Sequence, residues 1–456
     1  MRSLTVFGLG LAFSALLTGC AFLRLDQDLK RQQMESFQGR VAVIRGQIAY
    51  DDQSGTPAVV LCFARENGRA ALTDYMIINH SSLYYFIVPA GEYTVAAFED
   101  RNRNMQPDPG EPWGVYGAPD WLPVERPGPI KGVDIVLRGI DFRASGGLLE
   151  GLSLAEVTGR HYTSGIGVVT DLDEKSFALE YALKGLWEPY AFLKEVGYGL
   201  LFLEPYDPSK TPVLFVYGAA GQARNWRPLF EGIDRTRFQP WFFSYPTGMP
   251  LELSAGALDA SIRQLQETLR FRRLFVVAHS MGGLVARRAL QKTLDAGGRD
   301  YLALFVSIST PWGGHRAAAQ GVAHAPAVVP SWRDMVPESD FNRKLFAQPL
   351  PASLPFHLLF SYNGRSGLMA ANNDGAVTLE SQLDYRAQRE AQQIVGVNAG
   401  HADILRDRDL HQAVNTVLLT QRQALEEGLD WRRVFDFLRF QPLTAPPPAR
   451  VPPGPH

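Results

Sequence analysis

The sequence predicts a doubly wound α/β domain with a mostly parallel sheet, preceded by a small all-β, sandwich-like domain. Three observations carry this. From Pro212 onward, short apolar runs alternate with amphipathic stretches of helical period. Between residues 41 and 140, short β-branched and aromatic runs are separated by Gly/Pro turns. At 456 residues, the chain also exceeds the ~250–300 residues that one core usually serves. Hydrophobic residues make up 46%, charged residues 20%, and the net charge is −2. A nucleic-acid binder would show a basic excess, and this chain does not.

The N-terminus reads as an export signal. Arg2 supplies a positive start, and Leu4 to Leu17 is apolar but too short for the ~20 residues a bilayer span needs. It ends in Leu17-Thr18-Gly19-Cys20, which resembles a bacterial lipobox, cut before a cysteine that then carries lipid. Cleavage elsewhere, or an uncleaved anchor, is the alternative. Ala21 stands where an aspartate would favour the inner membrane, so the resemblance implies a lipid-anchored envelope protein of the outer membrane. Cys62 is the other cysteine; it lies in the apolar run Ala58–Phe63 and is expected to be a buried thiol rather than half of a disulfide.

Residues 21–40 are polar and charged and read as a tether or short helix. The β region is expected at 41–140, with strands over Val41–Tyr50, Ala58–Ala64, Leu83–Val88 and Tyr93–Phe98, and a half-buried strand at Val133–Leu137. The pattern Phe86-Ile87-Val88-Pro89-Ala90-Gly91-Glu92-Tyr93 resembles transthyretin-like or carboxypeptidase-regulatory-like modules. A junction over 141–210 is expected to pack on the larger domain, which spans 211–440. Its strands are Pro212–Tyr217, Phe238–Ser244, Leu274–Ala278, Leu302–Ser309, Phe356–Tyr362 and Gln393–Val397, with helices over Leu258–Leu269 and Gly282–Leu294. Residues 441–456 are a proline-rich tail.

The chemistry centres on Leu274-Phe275-Val276-Val277-Ala278-His279-Ser280-Met281-Gly282-Gly283-Leu284. A β run ends, a serine follows and a helix begins, which is the setting of a nucleophile elbow. The tight turn exposes the serine oxygen, and small residues two places either side let strand and helix approach; Ala278 and Gly282 serve. The helix N-terminus aims backbone N–H groups at the site, so the Met281 N–H can stabilise an oxyanion.

On these residues, 211–410 resembles the lipase and esterase branch of the α/β-hydrolase superfamily. Phe215-Val216-Tyr217-Gly218-Ala219-Ala220-Gly221 is similar to the family's His-Gly oxyanion loop, with Tyr217 in the histidine's place. The resemblance implies that the Ala219 N–H is the second oxyanion donor. It also implies the chain order serine, acid, histidine. His401, in Val397-Asn398-Ala399-Gly400-His401 after the last strand, matches the histidine loop, and Asp374, in Asn372-Asn373-Asp374-Gly375-Ala376-Val377, matches the acid loop; Asp384 is the nearby alternative. His315 and His324 fall in a segment expected to cover the site, His357 begins a strand, His411 follows the histidine loop and His456 is terminal.

Ser280, Asp374 and His401 then form a triad cleaving carboxylic esters, lipids included, through an acyl-enzyme, with no cofactor needed for the chemistry. Acyl transfer or amide cleavage on the same triad, and a non-catalytic scaffold, are the alternatives. The insertion at about 312–350 reads equally as a lid over an acyl pocket or as a packed cap. Asp100, Asn102, Asn104, Asp108 and Glu111 occupy the first, third, fifth, ninth and twelfth places of an EF-hand-type calcium loop. Met105 stands at the sixth place, where a glycine is expected and where methionine should resist the turn. A polar turn without the ion is the other reading.

Overall fold

The computed structural model describes residues 41–428, apart from 51–55, 79–82, 117–119, 127, 140, 142, 144–146, 153, 155–161, 164–165, 326 and 364–371. The leader with Cys20, the tether and the tail at 441–456 lie outside the described residues.

The β region holds two packed sheets. In one, β1 (Val41–Ala49) pairs antiparallel with β4 (Leu83–Pro89). In the other, β2 (Ala58–Glu66) lies between β3 (Arg69–Ile78) and β5 (Gly91–Glu99), with β6 (Trp113–Tyr116) and β7 (Leu122–Val124) on β5. Short strands β8 (Gly128–Ile130) and β9 (Ile135–Val136) run parallel to β1, and β10 (Tyr162–Thr163) joins the edge at β3. Val60, Cys62, Val95 and Ala97 share a core with Ile44, Tyr84 and Phe86. The opposite face of the same strands, Val59, Leu61, Phe63, Ala96 and Phe98, is covered by Leu149 and Leu154. Burial on both faces explains why these strands read as unbroken apolar runs instead of alternating ones. β3 was not among the expected strands: its first six residues are exposed or half-buried and include Arg69, Thr73 and Asp74, so its apolar run is confined to Tyr75–Ile78. Of the expected Val133–Leu137 strand, only Ile135–Val136 pairs.

The second region is a seven-stranded sheet of β11 (Gly199–Phe202), β12 (Thr211–Val216), β13 (Phe238–Ser244), β14 (Leu274–His279), β15 (Leu302–Ile308), β16 (Phe356–Ser361) and β17 (Gln393–Val397). The order is β11-β13-β12-β14-β15-β16-β17, and every neighbouring pair is parallel except β11 with β13. Part of the junction thus becomes an antiparallel edge strand. The helices Leu251–Leu269 and Met281–Asp295 pack on each other, and the first begins seven residues earlier than its apolar stripe suggested. The two regions share one continuous core. At their seam the Tyr85 and Tyr198 rings meet edge-on at 4.7 Å.

The insertion after β15 forms the helices Arg316–His324, Pro330–Met335 and Asp340–Leu345. Its second half is tied down. The fully buried Arg287 donates to the Leu345 carbonyl at 3.0 Å and pairs with Glu390. Asp334 accepts the Leu251 N–H at 2.7 Å. These bonds tie Asp334 and Leu345 to the body of the domain.

Candidate active site

Ser280 closes β14 and caps the Met281–Asp295 helix with φ 57° and ψ −134°. That conformation is costly for a residue with a Cβ, and it turns the side chain out of the sheet. Close approach makes the turn: a Cβ on Gly282 would lie 2.4 Å from the Val216 carbonyl oxygen, and one on Gly218 would lie 2.6 Å from the Ser280 Cβ. Ala278 fits, fully buried.

The chain after β17 brings His401 over the serine. Its Nε2 lies 2.8 Å from Ser280 Oγ and its Nδ1 lies 2.7 Å from Asp374 Oδ2. The His401 N–H donates to the Asp374 carbonyl at 2.8 Å, locking the two loops together. Asp374 is almost wholly buried, and each oxygen has its own duty. Oδ1 accepts the N–H groups of Ala376 and Val377 at 3.0 and 2.7 Å. Oδ2 accepts Ser361 Oγ at 2.6 Å and Gln382 Nε2 at 3.1 Å, besides facing His401. Burial alone would push this carboxyl up, but His401, Ser361 and the Val377 N–H outweigh it and hold the carboxyl below its usual value. Ser361 is in turn 2.6 Å from Ser309 Oγ. The sequence carried no mark for Ser361 or Gln382: one ends a core strand and the other sits in a one-turn helix.

Ala219 follows Gly218, which lies against Ser280, and Met281 follows Ser280 itself. Met281 opens its helix, so its N–H has no intrahelical partner, and among the described residues no hydrogen bond is recorded for the Ala219 N–H. Tyr217 holds that loop. Its ring stacks on Tyr245 at 5.0 Å, its hydroxyl accepts the Tyr245 N–H at 2.7 Å, and Tyr245 Oη donates to the Tyr217 carbonyl at 2.7 Å. Thr247 Oγ1 accepts the Ala220 N–H at 3.1 Å.

Two further histidines lie near. His279 Nε2 is 2.8 Å from the His401 carbonyl oxygen; burial, with His401 beside it, pushes its pKa down to about 3, so it stays neutral. His315 caps the Arg316–His324 helix by accepting the Ala318 N–H at Nδ1, and burial lowers its pKa too. His324 is exposed, His357 is buried in β16, and His411 binds the Leu405 carbonyl. Asp384 caps the Tyr385–Glu390 helix and pairs with Arg386.

The loop Asp100–Glu111 lies in the β region. Asp100 accepts the Asn104 and Met105 N–H groups at 3.0 and 3.1 Å, and Glu111 accepts those of Arg101 and Asp108 at 2.7 and 2.9 Å. Asn102 and Asn104 donate to Asp108. Met105 does take the left-handed turn, with φ 60°, against the expectation that it would resist: the Asp100 carboxylate receives its N–H there. Among the described residues, no three His, Cys, Asp or Glu side chains converge as a metal centre.

Residues 211–349 match the family model described as the α/β-hydrolase fold, and the sheet described above has that architecture, with an all-β region before it. Comparison with curated proteins finds no match. Among solved structures, the chain is similar to a lipase from Bacillus licheniformis in its mature form, at 18% identity over 47% of this chain and 94% of that one, with a TM-score of 0.38. It is similar to an esterase from Pyrococcus furiosus at 17% identity, 46% and 82% coverage and a TM-score of 0.32. Phospholipase PlaB from Legionella pneumophila aligns at 15% identity, 38% and 44% coverage and a TM-score of 0.32.

Proposed function

We propose that the chain is a serine hydrolase of carboxylic esters, lipids among them. The observation that carries this is the continuous hydrogen-bonded line Ser280–His401–Asp374 at 2.8 and 2.7 Å, with the serine on a strained elbow. Ser280 Oγ attacks the acyl carbon while His401 Nε2 takes its proton. Asp374 keeps Nδ1 protonated and stabilises the imidazolium. The Ala219 and Met281 N–H groups receive the negative oxygen. His401 then protonates the leaving alcohol, and water repeats the sequence to free the acid and restore Ser280. Beside the oxyanion loop, Leu186, Ala327 and Val329 cluster with Trp187, Ala220 and Trp332, which supports an apolar wall for the acyl group.

The test is fluorophosphonate labelling with ester turnover. The wild type is expected to label at Ser280, and Ser280→Ala to lose both labelling and turnover, the latter by about 10⁶-fold, without loss of fold. Turnover at the wild-type rate in Ser280→Ala would sink the reading. Within the same proposal, Cys20 anchors the protein in the bacterial envelope, at the outer membrane. Stable anchoring needs more than one acyl chain, so Cys20→Ser should move the protein to the soluble fraction; equal membrane partition would refute lipidation.

A further inference from the structure

A cleft of about 580 Å³ opens between the β region and the hydrolase sheet, away from Ser280. Its size lies in the ordinary range of small-molecule sites, roughly 300–1,000 Å³. Its inner wall is apolar: Leu193, Tyr198, Phe243 and Met249, all buried. The helix Leu251–Leu269 forms one side and turns Gly256, Ala257 and Ala260 towards the opening. Glycine is unfavourable in a helix interior, and a Cβ on Gly256 would meet nothing within 4 Å. That side of the cleft is open space, not a packing contact.

The charges at the rim are uneven. Arg263 is paired with Asp259, and Lys292 with Glu252. Among the described residues, no carboxylate partner is recorded for Arg45 or Lys131. The acid on the same rim, Asp134, already accepts the Gln47 N–H at 2.8 Å. Arg45 is half-buried and close to the apolar wall: burial pushes the Tyr198 phenol up, and the Arg45 charge pulls it partly back. A half-buried guanidinium over an apolar floor suits a ligand with a negative head and a hydrocarbon body, because each part then leaves water for a matching surface.

We propose that this interdomain cleft binds an anionic amphiphile, its head group on Arg45 with Lys131 beside it and its chain along Met249, Phe243 and Gly256. A free carboxylate and an anionic lipid drawn from a bilayer share this chemistry. The floor also touches the hydrolase: Tyr245 and Pro246 line the cleft, and Tyr245 clamps the Tyr217 loop.

The experiment measures binding of dodecanoate below its micelle concentration, by isothermal titration, to the full chain and to two variants. Gly256→Trp places an indole in the cleft from a position where a Cβ meets nothing within 4 Å, and Arg45→Glu reverses the rim charge. Both should weaken dodecanoate binding at least tenfold, and dodecanol should bind at least tenfold more weakly than dodecanoate to the wild type. Vesicles of phosphatidylglycerol form the second arm. Arg45-dependent binding to vesicles, without binding of the monomer, assigns the source to a membrane lipid. Dodecanoate affinity equal in all three proteins, or equal for dodecanol, overturns the proposal, as does failure of both monomer and vesicles to bind. Should Gly256→Trp not fold, Arg45→Glu decides, since its side chain is only half-buried and holds no ion pair among the described residues.

Discussion

Asp374 and Asp100 are alike in nearly everything local. Each is buried to within 2% exposure, and each accepts two backbone N–H groups from its own loop. They differ in how the bonds are shared between oxygens. Asp374 takes both N–H groups on Oδ1, which leaves Oδ2 for His401, Ser361 and Gln382. Asp100 spends one oxygen on each, so both are committed to holding its loop. A buried carboxylate can take part in chemistry only where the fold leaves an oxygen facing a partner from elsewhere in the chain.

The sharpest way to break this comparison is to make the same substitution in both. Asp374→Asn should lower turnover by about 10⁴-fold, since the amide can present its N–H to His401 and stabilise the wrong tautomer. Asp100→Asn should leave turnover unchanged and cost about 1–3 kcal/mol of stability, from a buried N–H left without an acceptor. Equal effects on turnover, measured with one ester substrate, would erase the distinction. Ser361→Ala, which removes one donor from Asp374 Oδ2 and no apolar volume, should cost about tenfold in kcat with KM little changed, about one hydrogen bond to a charged group. A wild-type kcat would mean that Gln382 and the Ala376 and Val377 N–H groups position the acid without Ser361.

Beside Ser280 and His401, burial acts on a base instead of an acid. Folded His279 takes up a proton only near about 3, whereas unfolded it does so near 6.5. The folded state therefore binds fewer protons in that window, and its stability falls as pH falls from 6.5. His279→Gln removes this term. The stability difference should shift towards the variant by about 1.4 kcal/mol per pH unit between pH 6 and 4. Asp334, pushed up to about 6 by burial, titrates in both proteins and cancels. Parallel urea midpoints at the two pH values would show that His279 is not held neutral.

The smallest effect concerns the Asp100–Glu111 loop, for which calcium remains a proposal. Burial, with Asp100 and Asp108 nearby, raises the Glu111 carboxyl above its usual value. A cation would relieve that crowding and stabilise the folded state by mass action. Calcium should raise the melting temperature of the β region by a few degrees over chelator, with turnover unchanged. Identical melting curves would leave the loop as a hydrogen-bonded turn.

What the sequence determined by itself was local. The strands β13 and β17 match their apolar runs end to end, and the elbow around Ser280 was visible because its strand, its small residues and its helix lie within eleven positions. His401 and Asp374 were candidates because their loops resemble the histidine and acid loops of the lipase and esterase family, with Asp384 as the alternative acid. The tertiary structure decided everything that rests on contacts across the chain. His401 reaches Ser280 across 121 positions, and Asp374 acquires its supporting donors from Ser361 and Gln382, neither of which belongs to a motif. Tyr245 and Thr247 hold the Tyr217–Gly221 loop from 27 to 28 positions away. The half-exposed β3, the junction strand β11 and the left-handed Met105 were likewise settled by partners. The reason is physical. Backbone sterics and periodicity act over a few residues and leave their mark in the order of letters. A hydrogen bond between distant loops leaves none, because many side chains could supply the donor and only the packed sheet determines which one does.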